Sequence, residues 1–88
     1  MNNTHKQKAD VLKALGHPIR FCIVEGLIGG ERNVAAMCDC TGISQPTVSQ
    51  HLAILKSAGI IDCTRDGNQM LYSVRSELAR SIVLALKG

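Results

Sequence analysis

The segment Thr41-Gly42-Ile43-Ser44-Gln45-Pro46 most constrains what this chain can fold into. Gly42 can adopt the positive φ that a tight helix end requires. Ser44 is placed as an N-cap, its hydroxyl expected to accept a bond from an unpaired N–H of the next helix. Pro46 falls in that helix's first turn, where a missing N–H does least damage. A short helix from about Asn33 to Cys40 leads into the junction, with Val34 and Met37 inward at i and i+3. A second helix, about Gln45 to Ala58, carries Val48, Leu52 and Leu55 at i, i+4 and i+7, and Gly59 ends it. Two helices joined by a short glycine-containing turn form a helix-turn-helix.

The flanking segments extend the pattern. From Lys6 to Leu15, Val11, Leu12 and Leu15 recur at helical spacing until Gly16, and His17-Pro18 opens a helix lined by Ile19, Ile23, Val24, Leu27 and Ile28. Gly29-Gly30 breaks it. Beyond Gly59, Ile60–Arg65 and Gln69–Val74 read as strands around the hairpin signal Asp66-Gly67-Asn68. A last helix, Ser76 to Leu86, carries Leu78, Ile82, Val83 and Leu86. Met1 to Thr4 reads as a frayed end. The predicted order, α-α-α-α-β-β-α, is mainly α with a β-hairpin wing: a winged helix-turn-helix, with residues 1–88 as one domain.

At 88 residues, folding buries only about two thirds of the chain's surface, so further burial at an oligomer interface is expected. Phe21 and Tyr72 are the only aromatics, which predicts an aliphatic core and leaves little for stacking on single-stranded bases. The length leaves no room for a catalytic domain with a separate substrate pocket, so the chain is read as a non-enzyme. No apolar run approaches the roughly 18–20 residues of a membrane span and no signal-like segment opens the chain, so a cytoplasmic protein without membrane contact is expected. In that compartment Cys22, Cys38, Cys40 and Cys63 are read as reduced thiols rather than a disulfide framework.

The net charge of +3 tilts weakly toward polyanions; its placement says more. From Thr41 to Ile61 there is no Asp or Glu, and Lys56 is the single formal charge. The first turns of the second junction helix offer Ser44, Gln45, Thr47, Ser49 and Gln50. A helix N-terminus carries partial positive charge and free N–H groups suited to phosphate, Gln can pair bidentately with adenine, and Ser and Thr serve several base edges. A merely solvated helix face is usually laced with Glu/Lys pairs, and their absence favours DNA. His51, at the edge of the buried stripe, either touches phosphate or packs within the fold. Lys56 is a surface charge near the helix end. At the wing tip, Arg65, Asn68 and Gln69 face a groove or phosphate, with pairing to Asp62 or Asp66 the alternative for Arg65.

Three stretches resemble the ArsR/SmtB family of small bacterial winged-helix repressors: Leu12-Lys13-Ala14-Leu15-Gly16-His17-Pro18-Ile19-Arg20, the run from Ser44 through Ile61, and Arg65 through Val74. The resemblance spans nearly the whole chain. It implies a homodimer formed by the first and last helices, with Val11, Leu12, Leu78, Ile82, Val83 and Leu86 as interface material. It also implies sequence-specific repression at an inverted-repeat operator in double-stranded DNA, constitutive or relieved by an inducer such as a metal, a metalloid or a thiol-modifying species. The family's sensor motifs do not carry over. Arsenic sensors resemble Cys-Val-Cys where this chain has Asn33-Val34-Ala35, and zinc sensors place acids and His on the last helix, which here holds Glu77 but no His. Persulfide sensors pair a second-helix Cys with one on the last helix; Cys22 has no such partner.

Cys38-Asp39-Cys40 remains as the candidate sensor. Residues two apart on a helix lie about 200° around its axis, so both thiols share a face only if the helix ends there. Three readings stay open: Cys40 packed inside with Cys38 an incidental surface thiol, a redox or persulfide pair, or a site for a soft metal or metalloid ion. Cys22 and Cys63 are read as core and strand residues, and His5 and His17 as weak ligand candidates. Beside the repressor stand two other function classes: a winged-helix protein-interaction module, and a thiol redox protein using Cys38 and Cys40.

Overall fold

Gly42 adopts φ 72°, and its N–H donates to the Cys38 carbonyl at 2.8 Å. The Thr41 hydroxyl donates to the Met37 carbonyl at 2.8 Å and accepts the Ile43 N–H at 3.2 Å. These bonds satisfy groups that a helix end otherwise leaves open and turn the chain sharply into its next helix.

The computed structural model describes residues 3–87. It orders them as α1 (Asn3–Leu15), α2 (Pro18–Ile28), α3 (Val34–Thr41), α4 (Gln45–Ser57), β1 (Ile61–Asp66), β2 (Gln69–Val74) and α5 (Glu77–Leu86). Asn3 and Thr4, expected in a frayed end, already belong to α1; Met1 and Asn2 lie outside the described residues. The strands form an antiparallel hairpin in register from Ile61 opposite Val74 to Asp66 opposite Gln69. Gly67 and Asn68 make its two-residue turn. Gly67 has φ 63° and Asn68 does not enter positive φ, the pattern of a II′ turn with glycine at its first central position.

The core is aliphatic, as the composition predicts. Ile23, Val24 and Leu27 of α2 meet Val48, Leu52 and Leu55 of α4 over Ile60, Ile61 and Val83, while Met37 joins from α3. Phe21 and Tyr72 pack partly buried against this cluster. Each such aliphatic side chain contributes roughly 1.5–3 kcal/mol on burial, which sets the α2–α4 angle more firmly than helix propensity does. No polar or charged side chain is buried among the described residues.

Two expectations require correction. Val11 and Val83, read as interface material, are 7% and 0% exposed and belong to the core of the chain itself. Leu12, Leu78 and Leu86 do stay outside, at 57%, 40% and 67%, and Leu84 joins them on α5. Helical spacing marks apolar positions without saying whether the partner is intramolecular; here α1 and α5 pack against each other and use one face each inside the chain.

Ser44 is the second. It occupies the N-cap of α4 with extended dihedrals, but its hydroxyl makes no capping bond. Pro46 offers no N–H, so the usual cap donors reduce to Thr47, and the Ser44 hydroxyl donates to the Thr47 hydroxyl instead, at 3.1 Å. Side-chain caps do form at three other helices. His17 Nδ1 accepts from Ile19 N–H at 3.1 Å, Asn33 Oδ1 from Ala36 N–H at 2.9 Å, and Ser76 Oγ from Ala79 N–H at 3.1 Å.

Candidate nucleic-acid interface

The buried stripe of α4 leaves its other side open. Pro46, Ser49, Gln50 and Ala53, spaced i, i+3, i+4 and i+7, are all exposed, with Gln45 at the N-terminal edge and Lys56 in the last turn. These side chains form an acid-free ridge, with Lys56 its single charge, beginning at a helix N-terminus. Thr47 is half-buried and its hydroxyl is tied to Ser44, so it stands at the margin of the ridge.

The wing stands beside the helix. Arg65, Asn68 and Gln69 are exposed around the hairpin tip. Arg65 Nε donates to the Gly67 carbonyl at 3.4 Å, and its guanidinium pairs with neither Asp62 nor Asp66. Asp62 instead accepts the Cys63 N–H at 2.9 Å. Gln69 is less free than its position suggests, because its Oε1 accepts from Asn33 Nδ2 at 2.8 Å. Asn33 thereby caps α3 with one side-chain atom and holds the wing with the other. Arg32 adds a backbone link: its N–H donates to the Tyr72 carbonyl at 3.1 Å and its carbonyl accepts the Tyr72 N–H at 2.8 Å.

His51 packs within the fold. Its Nδ1 lies 3.3 Å from Nη1 of Arg20 on α2, and its ring centre is 4.6 Å from that of His17. A guanidinium only donates, so His51 Nδ1 accepts and its proton sits on Nε2. Arg20 is fixed in turn by an Nε bond to the Ala14 carbonyl at 2.6 Å. Burial first, then the neighbouring His17 and Arg20, hold the His51 pKa below its ordinary 6.5. The triad thus joins α4 to the start of α2. Lys56, at the far end of α4, donates to the Cys63 thiol at 3.3 Å, a contact that raises the pKa of its ammonium.

The cysteines fall differently from their sequence order. α3 stays helical through Thr41, so the helix does not end between Cys38 and Cys40 and their side chains diverge. Cys38 packs partly buried against the core and Cys40 is exposed, the reverse of the packed arrangement read from the sequence. Cys40 lies near Cys22, on α2. Burial, then Cys40 and Glu25, push the Cys22 thiol pKa up, so it remains protonated at neutral pH. Among the described residues no three His, Cys, Asp or Glu side chains cluster so as to hold a metal ion. The diverging side chains of Cys38 and Cys40 do not by themselves bring two thiols to one point.

Residues that sequence reasoning passed over as functional are Arg20, Arg32 and Asn33. The one available signal was the helix-opening His17-Pro18 followed by Arg20 one turn on.

Among the described residues, five helices and a two-stranded hairpin, with the open face of α4 beside the hairpin, define a winged helix-turn-helix protein. The model of the bacterial regulatory protein arsR family matches residues 17–62, just over half of the chain. The chain belongs to that family. It is 36% identical over 86 residues to the biofilm growth-associated repressor of Xylella fastidiosa, covering 98% of this chain and 75% of that protein. A homodimeric winged helix-turn-helix DNA-binding domain from Mycobacterium bovis superposes with a TM-score of 0.84 at 36% identity, over 93% of this chain and 77% of that one. HlyU from Vibrio cholerae superposes with a TM-score of 0.91 over 98% of this chain and 94% of its own, and at 24% identity that likeness concerns the fold. No described helix is long and apolar enough to cross a membrane.

Proposed function

We propose that this chain is a homodimeric transcriptional repressor of the cytoplasm that binds an inverted-repeat operator in double-stranded DNA. The observation that carries the reading is the outward ridge of α4, where Gln45, Ser49 and Gln50 stand exposed with no acid from Thr41 to Ile61. Such a ridge approaches a phosphate-lined groove without repulsion and presents amide and hydroxyl groups to base edges. Ser44 and Thr47 at the helix start, and Lys56, Arg65 and Asn68 around it, supply sugar–phosphate contacts; Gln69 and His51 serve chiefly to hold the wing and the helix in place.

Two features support the dimer. The chain exposes 5537 Å², against ~5000 Å² for a folded monomer of its 9.4 kDa mass. Leu12 on α1 and Leu78, Leu84 and Leu86 on α5 account for much of its exposed large apolar surface. The similar domain from Mycobacterium bovis is itself homodimeric. A regulator, rather than a catalyst, is the role this site supports.

Selection of bound DNA from a random pool tests the reading. A dyad-symmetric site is expected, with affinity falling steeply as salt rises because bound cations leave the phosphates. Gln50→Ala is expected to weaken the selected site by about 1–3 kcal/mol while leaving random-sequence binding unchanged. Equal loss in both modes refutes base reading by α4. Failure to retain any DNA at low salt favours a protein-binding module instead.

A further inference from the structure

We propose that the groove between α1, the start of α2 and the last turns of α4 binds a medium-chain aliphatic monocarboxylate, and that its occupation lowers affinity for the operator. The groove encloses about 380 Å³, at the lower end of the roughly 300–1,000 Å³ of small-molecule sites. Ala14, Ile54 and Ala58 give it an apolar wall, on which Ile54 remains 44% exposed. No aromatic side chain lines it, so its apolar part suits an aliphatic chain rather than a stacked ring.

Two cations, Lys13 and Arg20, line the same groove. The Arg20 guanidinium is already oriented: Nε donates to the Ala14 carbonyl at 2.6 Å and Nη1 donates to His51 Nδ1 at 3.3 Å. Its Nη2 is left without a partner among the described residues and matches a carboxylate oxygen. Lys13 likewise forms no ion pair among the described residues. Asp10 is the single acid of the lining, and Lys6 offsets it at 4.0 Å. An apolar wall beside two open cations selects a chain with one anionic end; an alcohol forgoes the charge-assisted bond and an amine is repelled.

Dimerisation through α1 leaves the groove open. Successive helical residues lie about 100° apart, so Leu12 stands roughly 200° around the axis from both Asp10 and Ala14. The groove also reaches the helix offered to DNA: Ile54 lies in the last turns of α4, Ala58 is its C-cap, and Arg20 bonds His51 on it. A carboxylate is a stronger acceptor for a guanidinium than a neutral imidazole, so the bound ligand draws Arg20 from His51. α4 loses that tie to α2 while the aliphatic chain presses on Ile54 and Ala58. The wing, anchored on Arg32 and Asn33, does not follow, and the angle between α4 and the wing changes.

The effect on the operator rests on the DNA-binding reading; the site itself does not, and the experiment separates them. The full chain is titrated with octanoate, octan-1-ol and octylammonium, and backbone amide shifts are followed by NMR. Octanoate is expected to saturate with a Kd of about 1 mM or tighter. It is expected to move the amides of residues 13–20 and 54–58, and to bind about tenfold or more tightly than octan-1-ol. Lys13→Glu and Ile54→Gln, both at exposed positions, are each expected to weaken octanoate about tenfold while the chain still unfolds cooperatively. Octan-1-ol bound as tightly as octanoate, shifts centred on Leu12 and Leu86, or unchanged binding by both variants overturns the site. Variants that sediment as monomers where the wild type is a dimer place a second copy in the groove and overturn it equally. On the selected operator, saturating octanoate is expected to weaken binding about 5- to 150-fold, and the operator to weaken octanoate by the same factor. Operator affinity that is unchanged or raised overturns the effector role while leaving the site standing, and absence of DNA binding without octanoate refutes the DNA-binding reading alone.

Discussion

Asn33 holds two structures with one side chain, and replacing it in two ways separates them. Its Oδ1 caps α3 on Ala36 N–H at 2.9 Å, while its Nδ2 donates to Gln69 of the wing at 2.8 Å. Asn33→Ala removes both. Loss of an N-cap costs about 1 kcal/mol, and an exposed side-chain hydrogen bond about 0.5 kcal/mol, so the Ala variant is expected to lose about 1.5 kcal/mol. In a domain of this size that lowers Tm by roughly 6–12 °C. Asn33→Asp keeps an acceptor that caps as well as Asn and places its charge at the favourable end of α3. It loses only the donor to Gln69, so its cost is expected to be about 0.5 kcal/mol or less. Thermal and urea unfolding at fixed protein concentration measure both variants. Equal destabilisation by Ala and Asp refutes the cap as the larger contribution, and no change in either refutes the dual role.

Two further outcomes follow from other contacts. The pKa of His51 is depressed in the folded chain, so the stability it confers is complete above its unfolded value near 6.5 and is lost as pH falls below it. Unfolding curves between pH 7.5 and about pH 5 are expected to show a decline that His51→Gln reduces; an identical decline in the variant refutes the assignment. Replacing Leu12 and Leu86 together by Lys, at sites 57% and 67% exposed, is expected to leave the chain folded and shift sedimentation from dimer to monomer. A dimer of unchanged strength places the interface elsewhere.

Much of this architecture was legible along the chain because its signals are local. Gly42 at positive φ, Pro46 in the first turn of α4 and Gly67 in a two-residue hairpin turn each state a backbone geometry within a few residues. The helical spacing of Val48, Leu52 and Leu55 likewise fixed which side of α4 faces inward. The missed features are pairings across the fold. Arg20 reaches His51 over 31 positions and Asn33 reaches Gln69 over 36, and no periodicity encodes such meetings. The thiols show the same limit. Proximity in sequence suggested Cys38 with Cys40, but an unbroken helix separates their side chains. Ser44 illustrates competition at short range, since one proline removed the N–H on which half of its capping geometry depends.

The backbone exchange between Arg32 and Tyr72 has a bearing on how such a surface can change its meaning. Because main-chain groups join the entrance of α3 to the middle of β2, the spacing between wing and helix-turn-helix is held independently of any side chain that faces outward. Ser49, Gln50 and Ala53 carry none of that framework and bury nothing. They can be exchanged as letters are changed in a fixed typeface: the reading head keeps its pitch and reach while the text it recognises is rewritten.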